Sequence, residues 1–308
     1  MNFEDLAPGQ LIHLRKLDSE ARAIWELSHK SAFMFLAREV VVRKDYYLDL
    51  APWEQSRVRA IAAGMSVYRA VLVGKAAARV WGMPVLRDGP ATLCLPGDVP
   101  VPPRSQWFAG TRYVNWKLPE HDFVVKDGVR VAIRSRVIFD VSRYGSLADA
   151  LAIMDYTLRH GHATRDELTT TLERFAGLPG MKQVRRALGL ADGRSESPLE
   201  SEARAQLIEA SITDFDLQVW LLGRYRVDIL IGGFLIVEVD GLEKYTDPAD
   251  LVKEKKRTDA LINAGFQMLR ITKAKLRTYL GEETAFIREV RERLALGEPV
   301  TRRPPRQR

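Results

Sequence analysis

Apolar residues recur at two spacings along the chain, and the places where one gives way to the other divide it. Residues 18–38 carry a helical pattern, and Glu39-Val-Val-Val-Arg-Lys-Asp-Tyr-Tyr-Leu then predicts a strand pair or turn. Pro52 restarts a helix through Arg59 and Ala60, because its fixed φ and missing N–H suit a first helical position. Val71-Leu-Val-Gly-Lys-Ala-Ala-Ala-Arg-Val-Trp-Gly predicts a small-residue helix closed by Gly82 and Pro84. From 91 to 137 short apolar runs are broken by Pro96, Gly97, the prolines of 100–103, Gly110 and Gly128, the punctuation of a small sheet. Helices return from Ile138 to about Leu190, interrupted at Gly161 and at 177–180.

Ala191-Asp-Gly-Arg-Ser-Glu has few residues that can make a core, so 191–197 reads as a linker. It separates an α+β domain over 1–190, subdivided near 65–90, from a second domain over 198–296. Residues 297–308 end in Thr-Arg-Arg-Pro-Pro-Arg-Gln-Arg, a basic tail without core-forming residues. The second domain opens on Ser197-Pro-Leu-Glu200, with a serine N-cap, proline at the first helical position and glutamate at the third. Tyr225-Arg-Val-Asp-Ile-Leu-Ile, Gly232-Gly233 and Phe234-Leu-Ile-Val-Glu-Val-Asp-Gly241 then spell a β-hairpin.

Three carboxylates, Asp228, Glu238 and Asp240, interrupt these apolar strands. Buried acids are costly unless they are paired or bind a cation. Glu238 and Asp240 share a strand face by alternation. Asp228 joins them only if it pairs with Glu238, which centres the turn on Gly233 and requires an odd loop or a bulge. A two-residue Gly-Gly loop would pair Asp228 with Val237 and point it away. If the three converge they suit magnesium or manganese, which take oxygen ligands and retain waters for a substrate phosphate. The competing reading is a salt-bridge network with Arg226, Lys244 or Arg257.

Composition narrows the function classes. With 47 Lys and Arg against 40 Asp and Glu, the net charge of +7 favours polyanionic partners, nucleic acid first. One cysteine, Cys94, excludes an internal disulfide framework or a cysteine-rich zinc site. The five histidines show no metal-ligand spacing, and neither a nucleophile motif nor a phosphate-binding glycine loop is present. The N-terminus lacks the apolar core of a secretory signal, and no run approaches the ~18 apolar residues of a membrane span. A cytoplasmic protein of unspecified oligomeric state, with no membrane association, is expected.

The C-terminal residues resemble the PD-(D/E)XK nuclease superfamily, particularly its very-short-patch-repair-like endonuclease branch. The similarity runs through Glu-Ser-Pro-Leu-Glu200-Ser, Gln218, Tyr-Arg-Val-Asp228, Val-Glu238-Val-Asp240-Gly-Leu-Glu-Lys244-Tyr, Glu-Lys-Lys-Arg257, Leu261, Gly265 and Phe-Gln-Met-Leu-Arg270-Ile, about 80 residues in order. It implies an α/β fold with a restriction-endonuclease-like mixed sheet flanked by helices, and metal-dependent hydrolysis of DNA phosphodiesters. Asp228 and Glu238 would be ligands of Mg2+ or Mn2+, with Glu200 assisting. The lysine that ends the superfamily triplet is replaced by Asp240, which would add a ligand or orient water, and Lys244 would supply the positive charge. Glu200 has a second reading as a capping-box residue, and Gln218 as a strand-edge polar residue. Arg226, Lys253, Lys256 and Arg257 are expected to meet phosphates, the last three from a helix.

The N-terminal region resembles AbiEi-type antitoxin-like proteins of actinobacteria. It does so through Leu50-Ala-Pro-Trp-Glu-Gln55, Val73-Gly-Lys-Ala-Ala-Ala-Arg-Val-Trp-Gly-Met-Pro84, Gly128-Val-Arg-Val, Arg136-Val-Ile-Phe-Asp-Val-Ser-Arg143 and Asp155-Tyr-Thr-Leu-Arg-His-Gly161. Such regions can be winged-helix DNA binders, yet residues 1–45 carry no helix-turn-helix glycine turn. Two functions follow: a Mg-dependent endonuclease, or a non-catalytic DNA-binding regulator that keeps the nuclease fold.

Overall fold

Val40-Val-Val-Arg43 has three β-branched residues in a row, all fully buried, and it is the middle strand of the first sheet. The computed structural model describes residues 10–26, 30–97, 99–239 and 248–298. Strand β1 (Ile12–His13), helix α1 (Ser19–Ile24), β2 (Phe33–Ala37) and β3 (Val40–Arg43) form an antiparallel sheet in the order β1-β3-β2. The helix expected over 18–38 is therefore only partly formed. Its second half, Phe-Met-Phe-Leu-Ala, is a strand, because Glu39 turns the chain at φ 60° and lets it pair back on β3. Helices α2 (Lys44–Asp49) and α3 (Pro52–Met65) follow, the latter with proline at its first position.

Val71-Leu72, expected to start a helix, is instead strand β4, and α4 (Gly74–Val80) takes up the small residues behind it. With β5 (Ala91–Cys94), β6 (Thr111–Val114), β7 (Phe123–Lys126) and β8 (Val129–Ala132) it builds a mixed sheet in the order β6-β5-β4-β8-β7. Helix α3 lies hard against this sheet: a Cβ on Gly64 would stand 2.8 Å from Val129 Cβ. Helix α5 (Arg134–Tyr144) carries Asp140 and Arg143. They lie in its interior, within a buried cluster that links Arg136 to Asp122 and Asp140 at 2.8 Å each and Arg143 to Asp140 at 2.7 Å.

The chain forms two compact units, 1–145 with 168–184, and 146–167 with 185–308. The division differs from the one expected at 191–197, since α6 (Leu147–Arg159) belongs to the second unit. Its Asp155 makes a buried ion pair of 2.6 Å with Arg204 on α9 (Pro198–Glu209), and it accepts from Ser201 Oγ and from the backbone N–H of Asp192. The expected linker is thereby held in place: Ala191 and Ser195 are buried, and Arg194 bonds Asp192 and Asp216. Helices α7 (Arg165–Arg174) and α8 (Met181–Leu190) occupy the chain between α6 and α9.

The second unit is α/β. Strands β9 (Phe215–Leu221), β10 (Tyr225–Ile231), β11 (Leu235–Val239) and β12 (Gln267–Ile271) form a mixed sheet ordered β12-β11-β10-β9, in which only the β11–β12 pair is parallel. Helix α10 (Pro248–Asn263) makes the crossover between those parallel strands. Alternation sends Ile229, Leu235 and Val237 to a core shared with Ala203 and Leu207 of α9 and with Phe286 and Val290 of α12 (Ala285–Leu296). Leu230 and Ile236 meet Leu261 of α10 in a second cluster. The sheet thus has helices on both faces, as the resemblance implied for this segment.

Candidate functional site

The hairpin register decides where the acids fall. Ile229 pairs with Val237 and Ile231 with Leu235, so the loop is the three residues Gly232, Gly233 and Phe234. This is the odd loop required to set Asp228 opposite Glu238. The glycines make it possible, because both adopt left-handed backbone, φ 58° and 75°, as Phe234 N–H closes onto Ile231 O at 3.2 Å. Residues opposed across an antiparallel pair hold their Cβ atoms about 5 Å apart, so the two carboxylates are neighbours.

Each is anchored differently. Asp228 Oδ2 accepts the backbone N–H of Val239 at 2.9 Å, and the Gln218 side chain also bonds this carboxylate. Glu238 Oε1 accepts Arg257 Nη2 at 2.6 Å, and that nitrogen also reaches Arg226 O at 2.8 Å. Among the described residues no donor is bonded to Glu238 Oε2. Burial pushes both carboxyls above their ordinary range, and repulsion from Asp228 helps to carry Glu238 from 4.5 up to about 7, against the pull of Arg257.

Glu200 does not close a capping box, and its carboxylate turns instead toward Gln218 and the candidate site. Ser197 Oγ accepts Glu200 N–H at 3.1 Å, while the Glu200 carboxylate accepts the N–H of Glu196 at 2.8 Å rather than that of the cap residue. The same oxygen accepts Gln218 Nε2 at 3.0 Å, so one amide spans Glu200 and Asp228. To make that bridge Gln218 takes φ 54° in mid-strand, an uncommon conformation for a residue with a Cβ. Burial first, and Asp228 after it, raise the Glu200 carboxyl.

The cations expected on phosphates divide. Arg257 faces inward, bonded to Glu238 and, at 3.3 Å, to Glu254. Arg226 pairs with Glu196 at 2.8 Å, and Lys253 and Lys256 stand exposed on α10. Of the two described acids of the hairpin, Glu238 meets the salt-bridge reading. Glu254 and Arg270, which pair with each other beside Arg257, lie in the strings that carry the resemblance but were given no role from sequence, although the three-residue step from Glu254 to Arg257 marks one helix face. Asp240 and Lys244, and all but the first two residues of the basic tail, lie outside the described residues. Among the described residues no group of three or more His, Cys, Asp or Glu side chains is gathered to hold a metal ion. Asp228 and Glu238 could offer two oxygen ligands, which is the number magnesium commonly takes from protein, with water and substrate filling the rest.

The comparisons add little to this geometry. No family model matches the chain. Two curated relatives, the uncharacterized proteins Rv2248 and MT2308 of Mycobacterium tuberculosis strains H37Rv and CDC 1551, are 31% identical over 137 residues, 43% of this chain and 51% of theirs. The chain thus spans about half the length of the curated relatives it matches. Among solved structures, a homing endonuclease I-Bth0305I catalytic domain is 21% identical and covers 31% of this chain and 88% of its own, with a TM-score of 0.24. That superposition is loose, and the chemistry of the site rests on the residues themselves. No described helix is long and apolar enough to cross a membrane.

Proposed function

We propose that the second unit is a metal-dependent endonuclease of the PD-(D/E)XK type, hydrolysing phosphodiesters in DNA. The observation that carries this reading is the three-residue hairpin loop that sets Asp228 against Glu238, amid more carboxylates than cations. Among the described residues Asp228 acts electrostatically on Glu200 and Glu238, and the guanidiniums bonded to Glu238 and Glu254 are those of Arg257 and Arg270. A cluster left with surplus negative charge repels a phosphate unless a cation binds first.

Asp228 and Glu238 would hold Mg2+ or Mn2+, and Asp240, which follows Val239, is assigned as a further ligand or water-orienting group. Bound there, the metal would polarise the phosphodiester and lower the pKa of a bound water. Arg257 fixes the Glu238 carboxylate by one oxygen and leaves the other open to a ligand. Gln218 holds Asp228 and Glu200 at a set separation, and Glu200 positions the amide from α9. Lys244 is assigned to charge stabilisation, and Arg226, Lys253 and Lys256 to backbone phosphates. The positive net charge of the chain fits a DNA substrate.

The test is nicking of supercoiled DNA by the full chain in magnesium or manganese, alongside D228N and E238Q. Turnover that requires the metal and vanishes in both folded variants is expected. Duplex affinity without turnover in any divalent metal would replace this reading with that of a DNA-binding regulator.

A further inference from the structure

The β9–β10 hairpin that supplies Gln218 and Asp228 ends in a tip that the fold does not use. Trp220 and Arg226 are cross-strand partners there, and Trp220 is 65% exposed. They stand two residues along their strands from Gln218 and Asp228, a rise of about 7 Å. The turn itself is Leu222-Gly223, closed by Arg224 N–H on Leu221 O at 3.1 Å, with φ of 52° and 68°. Such a turn is cheapest as Asn-Gly, and leucine is a poor occupant of the left-handed region. Leu222 nevertheless holds that strain with its side chain half in solvent, so packing does not repay it.

Charge accompanies the apolar tip. Arg224 lies over the Tyr225 ring at 4.6 Å and has no carboxylate partner among the described residues. Arg226 ties the tip to the site, since its partner Glu196 donates its N–H to Glu200. An exposed indole and a strained leucine flanked by guanidiniums match a nucleic-acid duplex, whose stacked bases accept apolar wedges and whose phosphates accept arginine.

We infer that this hairpin tip is a DNA-binding wedge: Trp220 and Leu222 enter a base step of duplex DNA beside the carboxylate site, while Arg224 and Arg226 hold the flanking phosphates. The inference rests on the nuclease reading for its substrate class, and binding is measured apart from cleavage. The full chain is titrated with short duplexes carrying 2-aminopurine, with calcium replacing magnesium. The wild-type chain should raise the 2-aminopurine fluorescence. Trp220→Ala and Leu222→Asn should each lose that rise and about tenfold in affinity. Leu222→Asn suits the backbone better, so its melting temperature should equal or exceed that of wild type, which separates lost binding from lost folding. Arg224→Gln should lower the salt slope of binding by about one.

Folded tip variants that bind and unstack the duplex as wild type does would overturn the inference. So would a wild-type chain with no duplex affinity, or one whose tip variants lose only single-strand or RNA binding. A tip that passes these tests in a chain without magnesium or manganese turnover would overturn the nuclease reading and leave the wedge standing.

Discussion

Both units gather acids and arginines into one cluster, and the clusters differ in charge balance and in access to water. In the first unit Asp122 and Asp140 meet Arg136, Arg143 and Arg174, and both acids are fully buried. Arg136, 1% exposed, uses Nε on Asp140, Nη1 on Asp122 and Nη2 on Lys117 O, so each of its nitrogens has an acceptor. In the second unit's cluster the acids outnumber the guanidiniums among the described residues, and Asp228 and Glu238 are only half-buried. A closed cluster in which each acid meets at least two guanidiniums is a structural clasp. An open cluster with surplus acid is a place for a cation.

The same change, acid to amide, should therefore act in opposite ways at the two places. The largest effect is expected on turnover. E238Q or D228N should reduce metal-dependent nicking about a thousandfold or more, the equivalent of several kcal/mol of transition-state stabilisation. Neither should lower the melting temperature in chelator, because each removes a charge that burial and the opposing carboxyl disfavour. A nicking rate within a few-fold of wild type would show the acids to be structural.

D140N should reverse that pattern. It leaves Arg136 and Arg143 in the interior of α5 without their shared carboxylate, at a cost of about 3–5 kcal/mol. Denaturant unfolding should show the loss, while nicking per folded molecule stays as in wild type. A stable D140N variant would mean that the first cluster is no clasp, and the comparison would fail from the other side.

How much of this was legible in the sequence follows from the range of each interaction. The hairpin was, because alternation and the Gly232-Gly233 pair are local signals, and the condition on Asp228 could be stated as arithmetic on residue numbers. Glu200 was found only as a choice between cap and site, and its carboxylate bonds Glu196 N–H, one residue before the cap, and Gln218. Two features of the second unit were not legible. That Arg257, offered from sequence both as a salt-bridge partner and as a phosphate contact, takes the first role depends on which face of α10 meets the sheet, and 191–197 read as a linker because nothing nearby reveals the buried Asp155 that holds Asp192. Phe33–Ala37 read as helix for a similar reason: its strand is fixed by pairing with Val40–Arg43 and not by its own spacing.

A smaller effect should appear in the pH dependence of stability with divalent ions chelated. Glu238 titrates near 7 in the folded chain and near its ordinary 4.5 when unfolded, first because it is buried and then because Asp228 repels it. Between those values the folded state binds more protons at Glu238, so this group's contribution to stability is fully present below about 4.5 and is lost as the pH rises to about 7. Melting followed by circular dichroism across that window should show a fall of a few degrees, flattened in E238Q. An equal slope in both chains would assign the titration to other groups.

The smallest effect sharpens the comparison from outside the cluster. Lys253 and Lys256 are exposed on α10, the helix whose Arg257 is committed to Glu238, so the lysines meet solvent while the arginine meets the site. Contacts of this kind hold a duplex without reading its bases, and each releases about one counterion when made. The double variant K253Q/K256Q should weaken duplex binding uniformly across sequences and lower the slope of log affinity against log salt by about two. The melting temperature should stay put, and cleavage at saturating DNA should too, because both substitutions leave Asp228 and Glu238 themselves unchanged. An unchanged slope would place the phosphates on another surface and leave α10 only its inward face.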